Sequence, residues 1–229
     1  MKYLFFDIES PDGSPYAICE FGYVITDENF NILDRNNLLI NPEKKIKPIY
    51  RRGELKIKLF YPPYKYFQSP LFPSRYPVIR NLLTKDDVKV FGYSVSSDIT
   101  YIRSTSTKYN LEQFNYSSYD VQLIYRDLMK LAKCTSLENA AQIVPESEKN
   151  NFSLHRADHD ATITMLVLKH LVKNNNINLN EFLSSNENYK FNSQYPPKKN
   201  NKPNKSKTSK KNVAALNKSM KLLNYLANL

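Results

Sequence analysis

The first 40 residues alternate between dense apolar runs and short polar breaks. "YLFFDI", residues 3–8, is an unbroken apolar run closed by acids, the pattern of a central strand covered on both faces. "AICEFGYVITD" and "FNILDRNNLLINP" are β-rich segments joined by a turn at Asp27, Glu28 and Asn29, so the three together predict an antiparallel meander. Further on, "SRYPVIRNLLT" has a helical period and "VKVFGYS", residues 88–94, alternates like a strand. "DITYIRSTSTKY" then reads as a helix, "FNYSSYDVQ" as a fifth strand and "LIYRDLMKLAK" as a helix with apolar positions three and four apart. Ser136 is placed to cap a short helix over "LENAAQIV", and "ADHDATITMLVLKHLVK" is the last long helix. The order β-β-β-α-β-α-β-α-α predicts an α/β layer fold with a mixed sheet.

Two segments break this rhythm. Residues 43–77 hold six prolines, with aromatic residues from Tyr50 to Phe72 interleaved with Arg51, Arg52, Lys56, Lys58 and Lys65. Prolines at that density exclude a long regular helix and predict a loop-rich insertion with a short helix or hairpin. Its aromatic rings either stack bases, as in single-strand grooves, or pack beneath the loop to anchor it. Residues 184–211 have no apolar period and read as a disordered linker, ending the domain of residues 1–183. Residues 212–229 regain a period through Val213, Leu216, Met220, Leu223 and Leu226, an amphipathic helix. A helix that short is marginal alone in water, so docking on its own domain, a second copy or a protein partner is expected.

Charge sharpens this division. From Ser184 onward there are ten lysines against one glutamate, so the tail carries +9 of the chain's +11 and residues 1–183 only +2. Such a tail either binds polyanions, nucleic acid foremost, or is a solvated extension. Nothing approaches the roughly 20 apolar residues of a membrane span, so no membrane partner is expected. "MKYLFFDIES" opens like a leader, but Asp7 ends the apolar run too early for export. Cys19 and Cys134 lie far apart without a CxxC partner, a poor basis for a disulfide or thiolate site; a cytoplasmic setting is expected.

Three patterns carry candidate chemistry. Asp7 and Glu9, two apart on a strand, present their carboxylates on one face, and a hard cation between them removes their repulsion. The bland alternative is a solvated strand end. Asp98 sits where a strand and the serine-rich turn "GYSVSS" hand over to a helix, a position that also suits a simple N-cap. In "HRADHDA", residues 155–161, Asp160 lies in the first turns of the last helix and His155 precedes it. Five residues on one continuous helix point about 140° apart, so the two share a site only if His155 swings back from a loop. Asp158 and His159 are expected to face water.

D-x-E on the first strand, Asp after "FGYSVSS" and H-x4-D at the last helix together resemble the DEDDh branch of the 3′–5′ exonucleases, over residues 3–172. "ICEFGYVITDENFNIL", "LLINP", "YDVQLIYR" and "SLENAAQIV" look like further parts of that family. The sibling branch carries Tyr where this chain has Arg156. Tyr93-Ser94 and Ser97 depart from the family's common residues, as does the proline-rich insertion. The resemblance implies a ribonuclease H-like five-stranded sheet, three strands antiparallel and two parallel, flanked by helices. It implies two Mg²⁺ or Mn²⁺ ions held by Asp7, Glu9, Asp98 and Asp160. In that arrangement Asp7 bridges both ions, Glu9 and Asp160 complete one site, and Asp98 supports the other through water. His155 is then the general base on the attacking water. The oxygen-only donor set is consistent with such ions. The implied activity is hydrolysis from the 3′ ends of single-stranded DNA or RNA, releasing nucleoside 5′-monophosphates. An adaptor or a polymerase or repair-complex subunit, tethered by the tail and terminal helix, is the alternative.

Overall fold

A computed structural model describes residues 1–46, 49–51, 54–57, 59–149 and 152–194. The expected terminal helix at 212–229, and the expected linker from residue 195 on, lie outside the described residues. The meander forms as the apolar pattern predicts: β1 (Lys2–Glu9), β2 (Glu20–Thr26) and β3 (Ile32–Leu39). The insertion follows with a hairpin of β4 (Ile49–Arg51) and β5 (Glu54–Ile57), then α1 (Pro63–Phe67) and α2 (Phe72–Leu83). Next come β6 (Val88–Gly92), α3 (Val95–Lys108), β7 (Ser117–Asp120) and α4 (Val121–Leu128). Short α5 (Leu137–Ala140) and α6 (Glu146–Lys149) lead to the long α7 (Ala157–Asn174), α8 (Leu179–Ser185) and β8 (Lys190–Asn192).

The main sheet runs β3-β2-β1-β6-β7-β8. β1 is antiparallel to β2 and β2 to β3, whereas β6 lies parallel to both β1 and β7. This is the mixed sheet expected, with one correction: there are six strands, not five. β8 pairs antiparallel with β7 at the sheet edge, so the fold continues past the boundary expected at residue 183. Three residues, "KFN", are too short to show an alternation. Pairing with β7 holds them instead, and the next residue, Ser193, donates its N–H to the Tyr116 carbonyl at 2.9 Å.

β1 is apolar from Tyr3 to Phe6 because helices cover both of its faces. Tyr3 and Phe5 join the core beneath α7, while Leu4, Phe6 and Ile8 join the core against α2 and α3. Strand parity then puts Asp7 and Glu9 on the α7 face. α7 approaches β2 so closely that a Cβ at Gly22 would lie 2.0 Å from the backbone of Ala157 and Asp158. Only glycine permits this contact, which sets where α7 begins over the sheet.

α2 begins inside the stretch read as loop, because proline is tolerated in the first turn of a helix, where Pro73 sits. The insertion is anchored through Tyr66, which is fully buried with Cys19 and Leu59 and donates its hydroxyl to Glu20. Phe60, Tyr64 and Phe67 stay exposed. Among the described rings, then, part of the insertion packs beneath the loop and part faces solvent.

Gly22→Ala should destabilise the protein by about 3 kcal/mol, the upper end for overpacking, because the opposing atoms are backbone and cannot rotate away. Urea denaturation of the two proteins measures this; an unchanged midpoint contradicts the close-packed register of α7 on β2.

Candidate active site

The carboxy-terminal ends of parallel strands are where α/β sheets gather ligand-binding side chains, and here they collect acids. Asp7 and Glu9 lie at the end of β1. Asp98 follows β6, in the first turn of α3 and buried. Asp98 is not the N-cap; that position is Ser94, in the left-handed region at φ 65°. Asp120, at the end of β7, holds the Ser94 turn in place by accepting its N–H at 3.0 Å while also capping α4 through Gln122 N–H at 2.9 Å. Asp120 therefore sets where α3, and with it Asp98, begins. The sequence places Asp120 in a strand without showing this use of its side chain.

α7 delivers the other pair. His155 lies on the loop before the helix at φ 64°, a conformation costly for a non-glycine residue. It is held there because its N–H donates to Asp160 Oδ2 at 3.0 Å. The loop thus folds back over the helix start as the five-residue spacing requires. His155 Nδ1 stands 3.8 Å from Glu9 Oε1. Glu9, His155 and Asp160 each bring one ligand-capable atom within 4.8 Å of one another.

Asp158 and His159 depart from expectation: both are buried rather than solvated. Asp158 accepts from Arg156 at 2.7 Å and pairs with Arg35 at 3.6 Å. His159 Nδ1 accepts the Ser153 N–H at 2.8 Å. The helix start is capped by the insertion and β2, which a helical wheel of α7 alone does not contain. Glu20, also absent from the expected site, is fully buried and accepts from Ala157 N–H at 3.2 Å and Asn37 Nδ2 at 2.6 Å. It places a carboxyl at the positive end of the α7 dipole. The one sequence signal was a lone acid inside "CEFGYV".

Crowding shapes the electrostatics. Burial first, then the charges of Asp160, Glu9, Asp98 and Glu20, push Asp7 well above the usual carboxylate range. Asp98 is raised by burial, then by Asp120 and Glu9. Burial and Glu9 lift Asp160 to about 7, and burial lifts Glu20 to about 7. Pairing with Glu9 raises His155. Asp98 Oδ2 and Asp160 Oδ1 are buried without a hydrogen-bond partner. Acids this crowded, with two orphaned oxygens, fit a hard divalent cation. Beside Asp98, a cleft of about 380 Å³ is lined by Gly13, Pro15, Ser96, Ser97, Thr100 and Tyr101.

Comparison with solved structures gives the fold its counterpart. A 3′-exonuclease that recognises the 3′ end of a histone mRNA stem-loop superposes with a TM-score of 0.57 at 11% identity, covering 76% of this chain and 64% of that one. E. coli exonuclease I bound to a dA16 oligonucleotide gives a TM-score of 0.61 at 18% identity, over 80% of this chain and 43% of that one. This is the exonuclease fold. Cell-death related nuclease 4 shares it, with a TM-score of 0.54 at 13% identity, over 75% and 64% of the two chains. The chain therefore spans less than two thirds of the length of these exonuclease-fold proteins. No protein-family model and no curated protein matches the sequence.

The raised carboxyl groups fix a pH dependence for the metal-free protein. An acid whose folded pKa exceeds its unfolded value binds more protons when folded, so its contribution is complete below about pH 4 and is lost as pH rises through the folded value near 7. The melting temperature of chelated protein should fall between pH 5 and pH 8, and Mn²⁺ should raise it more at pH 8 than at pH 5. Flat melting temperatures, with or without Mn²⁺, contradict the crowded-acid site.

Proposed function

We propose that this chain is a metal-dependent 3′–5′ exonuclease acting on single-stranded DNA or RNA ends and releasing nucleoside 5′-monophosphates. The observation that carries the proposal is the gathering of Asp7, Glu9, Asp98 and Asp160 around buried, unpartnered carboxylate oxygens, with His155 folded over them. The exonuclease fold supports it, and the solved neighbours include one in complex with a DNA oligonucleotide.

In this reading Asp7, Glu9, Asp98 and Asp160 would hold two Mg²⁺ or Mn²⁺ ions. When bound, the ions neutralise charge on the scissile phosphate and activate the attacking water. In the same reading His155 would accept the proton of that water from its loop, where more than half of its side chain is exposed. The Asp160 carboxylate keeps the loop in register through the His155 N–H. The serine- and threonine-lined cleft beside Asp98 is open to receive the terminal nucleotide, and hydroxyls suit its sugar and phosphate oxygens. The lysine-rich tail adds salt-sensitive attraction for the strand. The unpaired Cys19 and Cys134 suit a cytoplasmic setting.

The tail's ten lysines also favour a second reading, a nucleic-acid adaptor or a polymerase or repair-complex subunit tethered through the tail and terminal helix. Oligonucleotides labelled at either end separate the two. The exonuclease gives a one-nucleotide ladder from the 3′ end with Mg²⁺ or Mn²⁺; absence of a ladder with both metals favours the adaptor.

Asp7→Ala should abolish hydrolysis, and His155→Ala should lower kcat by about 10²–10⁴-fold, the usual contribution of a general base. Wild-type rate should rise with pH through the raised His155 value. His159→Ala should cost stability through the Ser153 contact yet retain most hydrolysis in the folded fraction. Steady-state kinetics with a melting control check this, and equal losses for His155→Ala and His159→Ala overturn the assignment.

A further inference from the structure

The insertion ends against the catalytic loop in an arrangement that the hydrolytic chemistry does not use. Phe60 is 45% exposed, yet it is held on several sides. Its ring meets Tyr61 edge-on at 5.0 Å and lies 6.2 Å from the His159 ring, and the Arg156 guanidinium sits 5.3 Å from its centroid. Arg156 is itself fixed, by two hydrogen bonds to Asp158 at 2.7 and 3.3 Å and by the Tyr61 ring at 5.6 Å. Tyr61 is tied down in turn: its N–H donates to the Tyr66 hydroxyl at 3.2 Å, and Tyr66 bonds to Glu20.

An exposed phenylalanine is by itself unremarkable. This one is contacted by Tyr61, His159 and Arg156, and Arg156 is the residue that follows His155. Glu20, which anchors the assembly, is the direct ladder partner of Glu9, so the rings stand on the same face of the sheet as the acids, one strand over. Two cations sit on them and a third lies over the Phe152 ring, which itself packs on His159. Arg156 faces Phe60, Lys65 Nζ lies 5.2 Å from the Tyr61 ring, and Arg35 lies 5.4 Å from the Phe152 ring. Rings interleaved with fixed cations are what single-strand grooves use to stack bases and track phosphates without reading sequence.

We infer that Phe60, clamped by Arg156 beside His155, is a stacking platform for a base of the single strand upstream of the bond that is cut. This rests on the nuclease reading for its substrate class and adds the determinant that favours unpaired strands: a base offers its face to Phe60 only when it has left a duplex. Phe60 contributes to binding and leaves the chemical step to the acids and His155. Stacking on an aromatic side chain is tolerant of base identity, so the platform selects for single-strandedness and not for sequence.

The test compares Phe60→Leu, which keeps apolar bulk without a ring, with Phe60→Tyr, which keeps the ring. Substrates are single-stranded oligonucleotides carrying one abasic site at successive positions from the 3′ end. Phe60→Leu should raise KM about tenfold with kcat within about twofold, a value at the low end for one stacked base, and Phe60→Tyr should restore wild-type KM. At one abasic position wild type and Phe60→Leu should become equal. Unchanged KM in Phe60→Leu, or an equal loss on every abasic substrate, overturns the platform. Fluorescence anisotropy of the same oligonucleotides on chelated full-length protein keeps the two readings apart. If wild type binds but never hydrolyses, the nuclease reading fails alone. If Phe60→Leu binds as tightly as wild type, the platform fails.

Discussion

Mutual repulsion among acids at the end of β1 is the constraint that the surrounding structure answers. Two like charges about 4 Å apart at an effective dielectric of about 20 repel by roughly 4 kcal/mol, and Asp7 feels four acidic neighbours. No chain collects such groups by accident of packing, because the unfolded state separates them at no cost. Each acid is instead delivered by an element fixed elsewhere. β1 is buried on both faces, α3 starts where Asp120 holds the Ser94 turn, and α7 starts where Gly22 lets it touch β2.

Much of this was legible in the sequence, for a physical reason. Period-two and period-3.6 patterns report which faces meet a core, so the three strands of the meander, the two later strands and α7 were readable from apolar spacing, whereas the parallel pairing was implied by the family resemblance. The D-x-E pair and the His155–Asp160 spacing were readable because strand parity and helical rotation are fixed geometry. β8 was not readable, since three residues at an edge are held by backbone pairing that leaves no side-chain signature. Asp158 and His159 were misplaced because their cover comes from Arg35 and the insertion, remote in sequence, and from the Ser153 loop folded back on the helix start. Glu20 and Asp120 escaped for the same reason: a buried acid looks like any strand-end acid until the N–H groups it accepts are brought to it.

The insertion joins the two halves of this logic. Tyr66 closes over Glu20, Glu20 caps α7, and Arg156 at the head of α7 clamps Phe60. A segment that interrupts the fold's pattern thus becomes part of the wall beside the acids. The arrangement links the position of the His155 loop to an aromatic surface open to solvent.

Whether the acids form a paired-cation site is decided most directly by diffraction from crystals grown with Mn²⁺ and a nucleoside monophosphate, read through manganese anomalous scattering. Two peaks about 4 Å apart, enclosed by Asp7, Glu9, Asp98 and Asp160, are the expected result. Peaks confined to other surfaces, or carboxyl groups splayed away from one another with no manganese between them, would contradict it.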